Sequence, residues 1–217
     1  MRNTKGIIFD LDGVIVDTAK FHFLAWQKLA AELGIAFSEK QNEFLKGLSR
    51  KHSFEKILLW GNKSITEAEF CRHLENKNRD YLSRISNLSE RDLLPGVKKI
   101  FDYLILEEVP FALGSASRNA EIVLKSLKIY DHFSAIVDGN HVENPKPDPE
   151  VFLLAAEKLA KRPENCIVFE DSQAGIQAAN SAGMTSIGIG DKNILKEADY
   201  NFSNFTEIEV GFLEKLI

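Results

Sequence analysis

The sequence has few of the features that mark secreted, membrane-spanning or metal-rich proteins. Its 217 residues include 2 cysteines, Cys71 and Cys166, which are too few for a disulfide framework and form no Cys-x-x-Cys metal site. We expect both to be buried thiols in a reducing compartment. No apolar run approaches the roughly 18 residues that a membrane-spanning helix needs, and the one near the N-terminus is too short for a signal peptide. We therefore expect a cytoplasmic protein with no membrane partner.

The chain also lacks an excess of positive charge. Lys and Arg number 27 against 32 Asp and Glu, and the formal net charge is −5. Nucleic acid bound through a broad basic surface is therefore not expected as a partner. A small phosphorylated substrate stays open, because it needs only local positive charge. The sequence has no His-Glu-x-x-His motif and no His-rich cluster, so it does not favour zinc.

What the sequence does contain is a regular alternation of strand and helix patterns. The apolar, β-branched run at 6–9 is typical of a strand that is buried on both faces. After residue 96, helical patterns alternate with further apolar segments, and a short last strand is expected near residue 200. Strands that alternate with helices predict a parallel sheet with helices on both faces.

A long helical stretch interrupts this alternation directly after the first strand. Apolar residues recur there every four positions, at Phe21, Ala25, Leu29 and Leu33, and no convincing strand pattern occurs before residue 90. The sequence therefore predicts an α/β fold, a Rossmann-like parallel-sheet core with a helical cap inserted after the first strand. We expect residues 1–17 and 89–217 to form the core and residues 18–88 to form the cap domain.

Polar residues stand at or just beyond the ends of four predicted segments. They are Asp10 and Asp12, Ser115, Lys146, and Glu170 with Asp171. Each alone fits a plain structural reading, such as a turn, a helix cap or a solvated lysine. Ligands of open parallel sheets bind beyond the carboxyl ends of the strands. The sequence therefore predicts one site that brings these groups together.

The first two carboxylates, Asp10 and Asp12, lie one residue apart. Side chains two apart in an extended segment point the same way, so both should face the site, and Gly13 allows a sharp turn after them. Two adjacent carboxylates repel each other and invite a divalent cation. Glu170 and Asp171 would supply further oxygen ligands, and a small set of hard oxygen donors suits Mg²⁺.

The segments "FDLDGVIVDT", "GSAS", "NPKPDP" and "FEDSQAGIQAA" resemble the signature segments of the haloacid dehalogenase superfamily. The resemblance implies that Asp10 is a nucleophile that becomes an aspartyl phosphate and that Asp12 is the general acid and base. It implies three groups that hold the transferring phosphoryl: Ser115, Ala116 and Lys146. It also implies a Mg²⁺ site made by Asp10, Asp12 through its main-chain carbonyl, Glu170 and Asp171.

The predicted cap adds a narrower resemblance. His22 and Trp26 are four residues apart and share a helix face, and the motifs "LKGLSR" and "SASRN" carry positive charge. Together they resemble the β-phosphoglucomutase family. The resemblance implies that His22 assists the Asp12 proton relay. It implies substrate contacts from Thr18, Trp26, Lys46, Gly47, Ser53 and Lys77, and a second phosphate site made by Arg50, Ser117, Arg118 and Asn119.

The activity that this resemblance implies is the interconversion of β-D-glucose 1-phosphate and glucose 6-phosphate through a β-glucose 1,6-bisphosphate. The sequence leaves two alternatives open. One is a Mg²⁺-dependent sugar-phosphate phosphatase on the same core, and the other is a non-catalytic protein that binds a phosphorylated metabolite. A haloacid dehalogenase is disfavoured, because its chemistry has no use for Mg²⁺. We expect a monomer, and the sugar itself is not set by the sequence.

Overall fold

The strands of the computed structural model, which describes residues 5–217, build one sheet. They are β1 (Gly6–Phe9), β2 (Phe111–Gly114), β3 (Ala135–Val137), β4 (Cys166–Glu170), β5 (Thr185–Ile189) and β6 (Tyr200–Phe202). All neighbours pair in parallel, in the order β3-β2-β1-β4-β5-β6. This order is that of a Rossmann-type sheet and confirms the predicted fold class. The first four residues of the predicted core segment 1–17 lie outside the described range.

The helices follow the predicted division into an uninterrupted block and an alternating part. The block contains α1 (Ala19–Glu32), α2 (Glu39–Glu43), α3 (Arg50–Trp60) and α4 (Glu67–Ile85). The alternating part contains α5 (Val97–Leu106), α6 (Ala120–Ser126), α7 (Glu150–Lys158), α8 (Gln173–Ser181) and α9 (Val210–Leu216). Within residues 5–217, no helix combines the length and the apolar character that crossing a bilayer requires.

The central strand β1 shows why the sheet is covered on both faces. Its four residues are fully buried, and alternate side chains enter different apolar clusters. Ile7 and Phe9 pack with residues of α5, α6 and α9, while Ile8 packs with residues of α7 and α8. The Phe9 ring stacks on Phe169 of β4 at 5.0 Å between centroids. This packing fixes the positions of β1 and β4, whose carboxyl ends form the site described below.

The block α1–α4 has an apolar cluster of its own, which includes Trp26, Leu29, Phe54 and Ile57. Its helices begin at polar caps, since Ser38, Ser49 and Thr66 each accept a hydrogen bond from a backbone N–H of the first turn. We therefore keep residues 18–88 as a proposed cap domain, because a separate core is what an independently packed unit needs.

The two cysteines differ from the expectation that both are buried. Cys166 is buried on β4, whereas Cys71 is exposed on α4. The buried positions of α4 are Lys77, Tyr81 and Ile85, which recur every four residues. Cys71 lies six residues before the first of them and so falls outside that face of the helix. The prediction for Cys71 was therefore wrong.

Candidate active site

The site lies at the carboxyl ends of β1 and β4, where the chain order in the sheet reverses. Phe9 pairs with Phe169 across these strands, and the N–H of Asp10 donates to the carbonyl of Phe169 at 3.0 Å. The pairing places Asp10, the residue after β1, beside Glu170, the last residue of β4. The crevice at such a reversal is where open α/β sheets bind ligands.

Lys146 joins these two carboxylates. Its Nζ donates to Asp10 Oδ1 at 2.6 Å, to Glu170 Oε1 at 2.7 Å and to the carbonyl of Gly114 at 3.1 Å. Burial opposes the charged ammonium, but the carboxylates outweigh burial and raise the pKa of Lys146 above its usual range. All three of its hydrogens are used. Lys146 therefore lies behind Asp10 and does not line the cavity described below.

Asp10 and Asp12 both have raised pKa values. Burial raises the pKa of Asp10 to about 6, with Lys146 acting in the opposite direction. Burial also raises the pKa of Asp12 to about 7, and the Asp10 carboxylate adds to this shift. The hydroxyl of Thr18 donates to Asp12 Oδ1. A carboxyl with a pKa near 7 can both give and take a proton at neutral pH.

The half-buried His22 and the buried Lys77 form a pair next to Asp12. Lys77 Nζ lies 2.9 Å from His22 Nδ1 and 4.4 Å from the ring centre of Trp26. Burial lowers the pKa of both groups well below their usual ranges. We assign the proton of the neutral imidazole to Nε2, because Lys77 donates to Nδ1. That Nε2 is 3.9 Å from Asp12 Oδ2 and has no other partner among residues 5–217.

Two glycines let the loops around Asp171 approach closely. Gly13 has φ +84°, and a Cβ there would lie 2.1 Å from Asp171 Oδ2. Gly47 has φ +75°, and a Cβ there would lie 2.8 Å from Ser172 Oγ. Between them, Lys46 Nζ lies 3.2 Å from Asp171 Oδ2. The α2–α3 loop therefore contacts the core directly at the site.

Arg50 and Arg118 line the same space. Neither guanidinium forms an ion pair with an acidic side chain in residues 5–217. Burial lowers the pKa of Arg50, and repulsion from Arg118 adds to the effect. Nearby, Asn119 Nδ2 donates to Asn78 Oδ1 of α4 at 2.8 Å. An anion bound between the two arginines would relieve their repulsion.

These groups surround one cavity of about 770 Å³, counting the part that is open to solvent. Its predicted lining residues are Asp10, Asp12, His22, Trp26, Lys46, Gly47, Arg50, Ser53, Lys77, Ser115, Ala116, Ser117, Arg118, Asn119 and Asp171. Thr18, Lys146 and Glu170 do not line it, but they bond to residues that either line it or neighbour it.

We call the part of this site around Asp10, Asp12, Lys146, Glu170 and Asp171 the proximal end. The part formed by Arg50, Ser117, Arg118 and Asn119 is the distal end. The proximal end is rich in carboxylates and the distal end carries positive charge. One cavity therefore presents two chemically different groups of side chains to a ligand.

Sequence reasoning missed four lining residues: Ala19, Asn42, Leu45 and Leu48. Asn42 is the polar one; it is buried at 7% exposure, and no other side chain or backbone group within residues 5–217 is hydrogen-bonded to its amide. No pattern in the sequence distinguishes it from its neighbours Gln41 and Glu43. Its orientation depends on how α2 packs against the rest of the block.

The carboxylates at the proximal end suit a hard cation, such as Mg²⁺, that needs few ligands from the protein. Within residues 5–217, no group of three His, Cys, Asp or Glu side chains is arranged to hold a metal ion by itself. Mg²⁺ commonly needs only one or two carboxylates and completes its shell with water and substrate phosphate. Burial raises the pKa of Asp171 well above its usual range, which indicates that Lys46 alone does not compensate its charge. Glu170 uses its two oxygens on Lys146 and on the Ser172 N–H.

The comparisons with known proteins show the family of the chain. The family model of haloacid dehalogenase-like hydrolases matches residues 7–189. The chain therefore belongs to the haloacid dehalogenase-like hydrolase family. It is 46% identical over 213 residues to the β-phosphoglucomutase of Bacillus subtilis (strain 168), covering 97% of this chain and 94% of the relative.

Two further matches are a mutase of known structure and a phosphatase. The crystal structure of β-phosphoglucomutase from Clostridium difficile matches with a TM-score of 0.95 and 42% identity, covering 98% of this chain and 96% of that one. A fructose-1-phosphate phosphatase of Escherichia coli (strain K12) is 30% identical over 184 residues, covering 85% of this chain and 95% of the relative. Mutases and phosphatases thus share this sequence pattern.

Proposed function

We propose that the chain is a β-phosphoglucomutase that interconverts β-D-glucose 1-phosphate and glucose 6-phosphate. The observation that carries the proposal is a single cavity lined both by the buried carboxylate of Asp10 and by Arg50 and Arg118, neither of which has an acidic partner within residues 5–217. A mutase needs such a pair of ends, because one phosphate must be held while the other reacts. The 46% identity to a curated β-phosphoglucomutase supports the same conclusion.

In the proposed reaction, the proximal end transfers a phosphoryl group in both directions. A sugar hydroxyl attacks the phosphorus of phospho-Asp10, the Asp–phosphate bond breaks, and Asp12 accepts the hydroxyl proton. The product is β-glucose 1,6-bisphosphate. The bisphosphate then turns around, Asp10 attacks the other phosphorus, and Asp12 returns its proton to the departing sugar oxygen. Asp12 suits both steps because burial raises its pKa to about 7.

His22 and Thr18 orient Asp12 in this scheme. The Thr18 hydroxyl donates to one Asp12 oxygen, and His22 Nε2 lies 3.9 Å from the other, just beyond hydrogen-bond distance. Lys46, Gly47, Ser53, Trp26 and Lys77 would contact the sugar from the cap, as their position in the cavity wall allows. The cap also keeps water away from phospho-Asp10, so that the sugar is the preferred acceptor.

Mg²⁺ is the proposed cofactor. Asp10, Asp171 and the main-chain carbonyl of Asp12 would hold it, and Glu170 would contribute the lone pairs that Lys146 and the Ser172 N–H leave free. When bound, the ion supplies neutralisation of the transferring phosphoryl oxygens. Ser115 and Ala116 line the cavity beside Asp10 and would hold the same phosphoryl.

The test is a coupled assay that measures glucose 6-phosphate. β- and α-glucose 1-phosphate are each supplied with and without glucose 1,6-bisphosphate and Mg²⁺. We expect turnover of the β anomer only, dependence on Mg²⁺, and activation by the bisphosphate, which primes Asp10. Equal turnover of both anomers would contradict the proposed specificity.

A sugar-phosphate phosphatase is the second candidate, because the chain is also 30% identical to a fructose-1-phosphate phosphatase. In that case water, and not a sugar, would be the final acceptor of the phosphoryl on Asp10. The two candidates differ in the release of inorganic phosphate from hexose phosphates. Release that is faster than glucose 6-phosphate formation and needs no bisphosphate would favour the phosphatase.

We further propose a monomer that acts in the cytoplasm on a small phosphorylated sugar. The lining of the cavity includes both the Asp10 carboxylate and the two arginines, so the proposed reaction calls for no residue from a second copy. The exposed Cys71 and the buried Cys166 are both free thiols, which suits a reducing compartment. Light scattering after size-exclusion chromatography would test the monomer.

A further inference from the structure

The loop after β3 contacts the loop that carries the distal end. Asp138 is buried at 2% exposure, yet the proposed reaction gives it no role. Its Oδ1 accepts from the N–H of Asn140 at 2.8 Å and lies 2.9 Å from His141 Nδ1. Its Oδ2 accepts from Asn140 Nδ2 at 3.2 Å. The buried carboxylate therefore fixes the conformation of the loop 138–141.

This loop holds Arg118 at two points. Arg118 Nε donates to the carbonyl of Gly139 at 3.1 Å, and Asn140 Nδ2 donates to the carbonyl of Arg118 at 3.0 Å. The loops can approach because residue 139 is glycine; a Cβ there would lie 2.4 Å from the carbonyl oxygen of Ala116. Arg118 is thus fixed through its backbone and through one nitrogen of its side chain.

The remaining guanidinium nitrogens of Arg118 are available to a ligand. Neither Nη group has a hydrogen-bond partner within residues 5–217, and Arg118 lines the cavity. A guanidinium has five hydrogens in a rigid fork, so it can use Nε on the protein and both Nη groups on a phosphate. A lysine at this position would have one nitrogen for both tasks.

We propose that Asp138 and Asn140 are positioning residues that hold Arg118 against Gly139 and so direct its Nη groups at the second phosphate. The proposal rests on the proposed function, since it assigns the geometry of the same distal end. It predicts that disruption of the loop 138–141 weakens binding of a bisphosphate but not transfer of a phosphoryl group that arrives alone.

The test uses Asn140→Ala in the full chain, because the Asn140 side chain is exposed and its loss leaves the core intact. Asn144→Ala is the matched control; Asn144 Nδ2 donates to Glu150 Oε2 at 3.0 Å in the same connection and does not touch Arg118. Calorimetry measures the affinity for glucose 1,6-bisphosphate, and the reaction with acetyl phosphate reports on Asp10 alone. NMR follows solvent exchange of the Arg118 Nε hydrogen.

We expect Asn140→Ala to weaken bisphosphate binding about two- to tenfold, the range of one or two hydrogen bonds. The acetyl phosphate reaction should stay unchanged, and exchange of the Nε hydrogen should accelerate. Asn144→Ala should match the wild type. In an Arg118→Ala background, Asn140→Ala should have no further effect on the affinity. Asp138→Asn should follow Asn140→Ala in each measurement.

An unchanged affinity and an unchanged Nε exchange in Asn140→Ala would overturn the proposal, as would an effect that persists without Arg118. An equal loss in the acetyl phosphate reaction would also overturn it, because that would indicate a general structural role. Absence of mutase activity in the wild type would contradict the proposed function instead. Binding and exchange would then still decide whether the loop 138–141 positions Arg118.

Discussion

The two ends of the cavity differ in how the protein compensates their charges. At the proximal end, Lys146 is fully engaged with Asp10, Glu170 and the Gly114 carbonyl. At the distal end, Arg50 and Arg118 repel each other and have no acidic partner in the described residues. At the first end Lys146 supplies an internal counter-charge to Asp10 and Glu170, whereas the two arginines of the second have no acidic side chain to pair with in the described residues. The proximal end therefore supplies fixed groups for the chemical step. The distal end supplies cationic groups that remain available to bind a ligand.

The substitution Asp10→Asn should have the largest effect, and it tests the role of the proximal end. Asparagine cannot carry the phosphoryl group, so we expect mutase activity and the acetyl phosphate reaction both to fall by at least about 10⁴-fold. Asp102→Asn is the control, since Asp102 is an exposed carboxylate on α5 and should leave both rates unchanged. Residual turnover within about a hundredfold of the wild type would mean that another residue is the nucleophile.

Asp12→Ala tests the proton transfer at the same end. We expect the mutase rate to fall at least about 10²-fold, the usual minimum for loss of general acid–base help. Acetyl phosphate has a leaving group that needs little protonation, so its reaction should fall less. Stopped-flow measurement compares the rates at which glucose 1,6-bisphosphate and acetyl phosphate phosphorylate Asp10. An equal and small loss with both donors would exclude Asp12 as the acid and base.

The proximal end could be predicted from the sequence because each of its motifs is local. Asp10, Asp12, Ser115 and Glu170 each follow or end a strand, and a parallel sheet brings such ends together whatever the loops do. The position of Lys146 was predictable only in part. Its place in the NPKPDP segment brings it to the site, but the loop turns its side chain behind Asp10 and not into the cavity.

The distal end and the cap were harder to predict because they depend on packing between separate elements. Arg50 and Arg118 could be named only through a family resemblance. Asn42, Asn140 and the exposed Cys71 carry no signal of their own, since a small rotation of α2 or α4, or another loop conformation, would place them differently. Such residues are determined by tertiary contacts, and periodicity alone does not reveal those contacts.

Arg50→Ala tests the claim that the distal end serves recognition. Loss of a charged contact to phosphate should lower mutase kcat/KM about ten- to a hundredfold, while the acetyl phosphate reaction should stay within about twofold, since that donor has no second phosphate. Lys51→Ala is the matched control, because Lys51 is the next residue of α3 and is exposed. Thermal unfolding should show no loss of stability, because the substitution removes repulsion with Arg118. Equal losses in both reactions would end the distinction between the two ends.

Asn42→Ala tests the smallest effect, a contact from the cavity wall to the sugar. The buried Asn42 amide lines the cavity, and a carboxamide can donate to and accept from sugar hydroxyls. We expect KM for β-glucose 1-phosphate to rise about two- to tenfold with kcat nearly unchanged. The exposed Lys40 of the same helix provides a control in Lys40→Ala. Deoxy analogues of the substrate identify the hydroxyl that is contacted, because its removal and Asn42→Ala should not be additive. Additive losses with every analogue would show that the sugar is held by other residues.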